Sequence, residues 1–444
     1  MNVYRLYDNI SKIISSKYSF LGVNKRREIE RLCFEIAKLR DTENLDFLPE
    51  YKNYTQFKNF LLKLRYDKFY NSKIKESLYL PKLEIEQEKS FVPKKNFREV
   101  KEIIVEKECL NSKIFANLSS KYPAAKVIHI DSFKDVKKSF DIEKYNRRSE
   151  KIYIFREEFD FIKRCPCTKR CVSCGYYVIN LSFGCPLECE YCFLQGYQNF
   201  DGISFIANID DFIRKTIEIF KFSKTKVRIG SGEFADSLAY DDITDYSIEI
   251  IKAFRGMENL YFEFKTKTVN LENLFKVSPS KNIVIAYSLN PQKIIDLTEH
   301  YTTSFKERLL AIKKIIEYGY STAFHFDPLI NIDDWERLYK DTFSEIFSVI
   351  NPEDVRWISL GTFRFKPETK KVIENRFPDN IILDEEMFLD FDGKLRYPYE
   401  LRKKMYREII NILKGYKFPL EKVYLCMEDE KIWRDVGIKP YFRW

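Results

Sequence analysis

Along the first part of the chain, apolar side chains recur at helical spacing. Residues 28–39 place Ile29, Leu32, Cys33, Ile36 and Leu39 on one face, and residues 54–66 do the same with Phe57, Phe60, Leu61 and Leu64. The spacing predicts amphipathic helices that bury this stripe, with Cys33 as a core residue. A helical N-terminal region over 1–85 follows. From about residue 86 the period changes. Short apolar runs at 126–131 and 151–155 read as strands, so 86–175 reads as a small α/β region ending in a cysteine-rich loop. His129, inside the first run, reads as a buried or half-buried structural histidine. Cys109 has no cysteine neighbour and reads as packing.

From residue 176 strands and helices alternate. Strands are expected at 177–181, 226–229, 260–264, 283–287, 322–326 and 355–360. Helices fall between them, including 210–220, 304–318 and 333–350, with Ser304 as an N-cap. Right-handed parallel crossovers curl six such strand–helix steps into a barrel-like sheet. Six strands do not close an eight-stranded barrel. The expected fold class is therefore α/β, with a partial, six-strand barrel over 176–365 that is open on one side. Residues 366–444 read as an extension: a hairpin at Asp392-Gly393, a helix over 399–413 and a strand over 422–426.

Composition refines this picture. The 444 residues suit two or three domains, and 45% hydrophobic residues supply a sizeable core. No apolar run approaches the ~18 residues of a membrane-spanning helix, and the start lacks the apolar stretch of a signal peptide. A cytoplasmic location with no membrane partner is expected. The ten cysteines then read as thiols or metal ligands. The net charge is +9, and residues 1–80 hold 16 Lys and Arg against 10 Asp and Glu. That imbalance suits a polyanionic partner, and equally a solvated basic surface.

The densest chemical signal is Gly184-Cys-Pro-Leu-Glu-Cys-Glu-Tyr-Cys-Phe, a C-x3-C-x2-C spacing with Tyr191 before the last cysteine. Thiolates at Cys185, Cys189 and Cys192 can hold three corners of a [4Fe–4S] cube. Electron-transfer clusters usually have four cysteine ligands, so a missing fourth leaves one iron open. In radical-SAM enzymes that iron chelates S-adenosylmethionine through its amino and carboxylate groups. One electron, from a donor such as flavodoxin or ferredoxin, then breaks the S–C5′ bond. On residues alone, a structural zinc with a fourth ligand elsewhere remains open, as do inert buried thiols. Upstream, Cys165, Cys167, Cys171 and Cys174 lie within ten residues. They suit a zinc ion or an auxiliary iron–sulfur cluster, or are loop thiols.

Function in parallel barrels gathers at the carboxyl ends of the strands. The second expected strand ends in Gly-Ser-Gly-Glu-Phe-Ala-Asp, where Glu233 or Asp236 can accept from the amino group of S-adenosylmethionine. The third ends at Lys267, which suits a carboxylate or a phosphate. The fourth offers Ser288 and Asn290 to a ribose or carboxylate, and Arg308 in the next helix suits a carboxylate. The sixth is followed by Arg364, flanked by aromatics and suited to a base or a phosphate.

In their order, these residues resemble the spore photoproduct lyase family of radical-SAM DNA repair enzymes. The resemblance spans about 176–400. It includes the cluster loop from Cys185 to Gln195, Lys267, Ser288 with Asn290, Ser304 to Arg308, Gly319-Tyr320, Trp335 and Tyr339. It ends with Arg364-Phe-Lys-Pro, Lys371-Val-Ile-Glu, Pro378 and Leu383-Asp-Glu-Glu. It implies a partial barrel with S-adenosylmethionine near Asp236, Lys267 and Ser288. It also implies a deoxyadenosyl radical that opens thymine photodimers, and a DNA-contacting hairpin at 389–397 carrying Lys394 and Arg396. Two positions depart from the family. Where the family returns a hydrogen atom from a cysteine, this chain has Glu233. Where a tyrosine follows the last cluster cysteine, it has Phe193. Neither side chain donates a weakly held hydrogen. Cys426 and Tyr191 are the candidate catalytic groups in their place. The alternatives are a radical-SAM enzyme acting on RNA or a small molecule, and a non-enzymatic metal-bearing nucleic-acid binder.

Overall fold

The computed structural model describes residues 3–48, 50–66, 90–136, 138–168, 170–385 and 387–440. The expected boundary at residue 85 lies outside the described residues. Helices Val3–Lys17, Val23–Leu39 and Tyr54–Tyr66 turn their apolar stripes toward one another. Their shared core holds Leu6, Ile10, Leu32, Cys33, Phe57 and Leu61, separate from the main core. No described helix is long and apolar enough to cross a membrane.

The strands are β1 (Glu102–Glu106), β2 (Lys126–Ile130), β3 (Lys151–Phe155), β4 (Lys163–Arg164), β5 (Tyr176–Val178), β6 (Ser182–Phe183) and β7 (Ile203–Ile206). They continue as β8 (Val227–Ser231), β9 (Leu260–Thr266), β10 (Ile283–Ser288), β11 (Ser321–Leu329) and β12 (Val355–Thr362). Last come β13 (Arg364–Phe365), β14 (Phe388–Leu389), β15 (Leu395–Arg396) and β16 (Val423–Leu425). A five-stranded sheet has the order β2-β1-β3-β7-β6. Because β2 is its edge, His129 is exposed, not half-buried. Cys109 is buried in the main core, as packing requires.

The larger sheet runs β16-β12-β11-β10-β9-β8-β5-β4 and forms a curled half-barrel. Its six expected strands, β5 and β8 to β12, pair in parallel and in chain order. Two strands extend it: β16, parallel to β12, and the short β4, antiparallel to β5. The sheet therefore has eight strands rather than six. Its edges do not pair with each other. Instead the loop after β4 reaches the chain after β16, where Val172 N donates to Glu428 O at 2.9 Å and Cys171 pairs with Asp429. The cysteine-rich loop thus straps the open side.

Strands β8 and β10 are buried at every position, as expected of parallel strands covered on both faces. Helix Phe305–Tyr318 begins in a capping box between Ser304 and Glu307, which satisfies otherwise orphaned N–H groups. The barrel interior is polar. Glu263 on β9 accepts from Arg228 Nη2 at 2.8 Å and from Trp357 Nε1 at 3.1 Å, and lies 2.7 Å from His325 Nε2. This network ties together four strands. Burial pushes His325 down to about 4 against the opposing pull of Glu263, so it is neutral at pH 7.

Close packing of the floor makes one position intolerant. A Cβ added at Gly230 would lie 2.0 Å from Tyr176 Oη and 2.6 Å from the Glu263 carbonyl oxygen. Gly230→Ala is expected to lower stability by about 1–3 kcal/mol, as overpacking does. A fall in the urea midpoint with an unchanged m-value checks it.

Candidate functional site

A cavity of about 690 Å³ opens at the carboxyl ends of the half-barrel strands. Cys185, Cys189 and Cys192 line it together with Tyr191, Glu233, Asp236, Lys267, Ser288, Arg364, Lys394 and Cys426. Segments from Cys165 to Met427 meet there, most of them at the ends of parallel strands that face the same way.

The three-cysteine loop is rigidly held. Gly184 turns into it at φ +94°, a left-handed conformation that favours glycine, and its N–H donates to Phe234 O at 2.9 Å. Glu188, between the first two cysteines, is buried and accepts from Arg148 Nη1 and Arg376 Nη2, each at 2.6 Å. Arg148 Nε also donates to Cys185 O at 2.9 Å, and Arg376 Nη1 donates to Gln195 Oε1 at 2.9 Å. On the other side, Glu190 N donates to Thr298 O and His300 N to Glu188 O. Two buried arginines therefore hold a loop that has little regular structure. Its three thiols open onto one cavity, and that donor set fits a [4Fe–4S] cluster with one free iron. Among the described residues, no group of three or more His, Cys, Asp or Glu side chains converges as a single metal ion requires.

Several expected ligands have partners already. Arg308 is fully buried, and its Nη2 donates to Glu299 Oε2 at 2.5 Å while Nη1 donates to Ser288 O at 2.8 Å. It braces the wall and does not line the cavity. Asn290 turns into the core, where its Oδ1 accepts from Tyr339 OH at 2.9 Å. Asp236 faces the cavity, but its carboxylate accepts from Leu238 N, Ala239 N, Thr266 Oγ1 and Lys267 N, at 2.7–2.9 Å. It brackets two strand ends, with its lone pairs engaged. Glu233 accepts from Asn180 Nδ2 at 3.0 Å and also faces the cavity. Ser288 and Lys267 line the same wall, and Lys267 Nζ stands 5.7 Å over the Tyr191 ring. Tyr191 donates its phenol to Glu299; burial, reinforced by Glu299, raises its pKa well above the usual value.

The cationic residues expected to meet DNA are also internally paired. Arg364 Nη1 donates to Asp327 Oδ1 at 3.0 Å. Lys394 Nζ donates to Asp392 Oδ2 at 2.9 Å, and the fully buried Arg396 donates to the same carboxylate. Burial alone raises the Asp392 pKa, but bonds from Arg396 and Lys394 outweigh it and hold the carboxyl well below its usual range. Asp392 in the turn therefore pairs with both hairpin cations, and Asp390 and Glu428 also lie within ion-pair distance of Arg396. The hairpin tip instead exposes Leu389 and Phe391.

The strap cysteines do not form one set. Cys165, Cys167 and Cys174 line the cavity, whereas Cys171 does not. Its neighbours are the charged groups of Arg396, Asp392, Glu428 and Lys394. Among the described residues these thiols do not gather as a single metal ion would require. Cys426, one residue past β16, faces the cavity beside Cys165 and Cys174. Arg364 Nη2 lies 3.6 Å from its sulfur, and Asp327 accepts from its thiol. Burial, followed by the Asp327 charge, keeps that thiol protonated.

Comparison with known proteins bears on this arrangement. The spore photoproduct lyase family model matches residues 130–422. The spore photoproduct lyase of Clostridium acetobutylicum is 24% identical over 236 residues, which are 52% of this chain and 67% of that protein. The spore photoproduct lyase of a Geobacillus strain is 26% identical over 248 residues, 54% of this chain and 72% of that one. Among solved structures, a double mutant of spore photoproduct lyase with bound AdoMet and dinucleoside spore photoproduct has a TM-score of 0.62 at 22% identity. The alignment covers 77% of this chain and all of that one. A complex of the lyase with dinucleoside spore photoproduct also scores 0.62 at 22% identity, covering 74% and 98%.

Proposed function

The chain belongs to the spore photoproduct lyase family of radical-SAM enzymes, and we propose that it repairs thymine photolesions in DNA, with Cys426 returning the hydrogen atom. The observation that carries this reading is the single cavity shared by the three-cysteine loop, Lys267, Ser288 and the Cys426 thiol.

Cys185, Cys189 and Cys192 would hold a [4Fe–4S] cluster beside S-adenosylmethionine, and with an electron from a donor such as flavodoxin or ferredoxin that pair would supply the radical chemistry of this enzyme class. Lys267 suits the carboxylate of S-adenosylmethionine, and Ser288 offers a hydroxyl beside it. Glu233 suits the amino group, because the Asp236 carboxylate already accepts from three backbone N–H groups and the Thr266 hydroxyl. Asp236 positions Lys267 by accepting from its N–H at 2.7 Å. Tyr191, Glu299 and Arg308 brace this wall, with the tyrosine and arginine both donating to the glutamate.

Hydrogen return needs a thiol that is protonated, shielded and turned toward the substrate. Three features support Cys426 in this role: burial and the Asp327 charge keep its thiol protonated, it lines the cavity, and its partner Asp327 is itself fixed by Arg364. Glu233 is then free to serve binding instead. Lys267→Ala is expected to weaken S-adenosylmethionine binding about tenfold, as loss of a charge-assisted hydrogen bond does. Equilibrium dialysis of the reconstituted variant checks this.

The function is tested by anaerobic incubation of reconstituted protein with S-adenosylmethionine, dithionite and an oligonucleotide containing the spore photoproduct. Restored thymine is expected. An intact lesion beside continued release of 5′-deoxyadenosine would overturn the substrate and leave the enzyme class standing.

A further inference from the structure

At the cavity mouth, two aromatic rings are held in solvent by a rigid base. Phe193 and Tyr197 are 41% and 40% exposed. Their centroids lie 5.5 Å apart with planes at 83°. Both belong to the cavity lining. Phe193 opens the 3₁₀ turn Phe193–Gly196, which packs against helix Pro367–Arg376. A Cβ at Gly196 would lie 2.4 Å from Thr369 Oγ1, so the glycine permits that close approach. Gln195 is fully buried beneath the rings and tied to Arg376 and to Glu190 O. Exposed rings on so fixed a support are not explained by core packing, and no part of the reaction described above uses them.

A cation completes the set. Lys366, exposed and at the start of the same helix, places Nζ 4.3 Å over the Tyr197 ring. It forms no ion pair with a described residue, in contrast to Arg364 and Lys394. Lys265 and Lys267, also on the cavity wall, likewise form none with described residues. The mouth therefore combines two partly exposed aromatic rings with positive charge that no described carboxylate pairs. A nucleotide has the complementary chemistry, a π-face and a phosphate, and stacking tolerates any base.

We propose that Phe193, Tyr197 and Lys366 form a platform that stacks the unpaired base next to the lesion and holds its phosphate. This rests on the DNA reading above. Phenylalanine at 193 keeps the stacking face while lacking the phenol that hydrogen transfer would need. Base extrusion leaves a nucleotide unstacked beside the cavity, and the platform compensates for the stacking it loses.

Anisotropy of the full-length protein with labelled oligothymidylate, and with an abasic strand of equal length, tests the platform. Wild-type protein should prefer the oligothymidylate by about tenfold or more. Phe193→Ala and Tyr197→Ala should each erase most of that preference, and Phe193→Tyr should keep it. Lys366→Ala should weaken both strands equally and flatten the slope of log affinity against log salt by about 0.7. Full wild-type preference in both alanine variants would overturn the platform, and an unchanged salt slope would remove Lys366 from it. Binding to neither strand by wild-type protein would instead overturn the DNA reading itself.

Discussion

Cys189→Ala is expected to yield protein that reconstitutes without the brown colour of an iron–sulfur cluster and releases no detectable 5′-deoxyadenosine. The argument is one of ligand count. With only Cys185 and Cys192 remaining, the cube loses a second corner, and the thiolate ligands are what hold the irons. Cys189 is also the most confined of the three, buried and paired through its backbone with Glu299. Cys171→Ala is the control, because Cys171 lies outside the cavity. It should keep both colour and cleavage. Iron analysis, absorbance and chromatography of 5′-deoxyadenosine check the pair. Retained cleavage in Cys189→Ala would contradict the ligand assignment.

Cys426→Ala is expected to lower repaired thymine per 5′-deoxyadenosine by at least about tenfold, in keeping with the loss of a catalytic group that touches the reacting atoms. The substrate radical would still form, but it would lack a protein S–H bond to complete it. Cys426→Ser separates donation from positioning. A hydroxyl preserves the contact with Asp327, yet its O–H bond is much stronger than S–H. Serine should therefore be as defective as alanine. Recovery of repair in the serine variant would reduce Cys426 to a positioning residue. Folding is controlled by thermal melting, since the side chain sits beside the Arg364–Asp327 pair and loss of packing alone could shift stability.

Regular backbone is legible in the sequence where an apolar run is long enough to show its period. The apolar runs of β8 to β12 stand out because both faces are covered, and the Ser304 cap marks its helix start. The two-residue β4 escaped notice, because so short a strand carries no period. β7 escaped as well, although all four of its residues are buried. The cysteine loop was legible because its chemistry is local. Partnerships across long separations were not. Arg308, Asn290 and Arg396 look available in sequence, yet their partners arrive from Glu299, Tyr339 and Asp392 once the chain folds. Asp236 looks open to a ligand in sequence, yet four donors converge on it once the chain folds. Glu188, Arg148 and Arg376 were missed altogether. The one local hint was a carboxylate set between two cluster cysteines, a position too confined for an uncompensated charge. Phe193 was noted for what it lacks, and its exposure became apparent only with the turn that presents it.

The most direct measurement is mass spectrometry of a spore-photoproduct oligonucleotide repaired in D₂O. A cysteine thiol exchanges its hydrogen with solvent, so a first turnover that uses Cys426 marks the product. The account predicts that wild-type protein restores both thymines with one solvent deuterium, and that Cys426→Ala gives no such labelled thymine. An intact lesion, despite cleavage of S-adenosylmethionine, would contradict it.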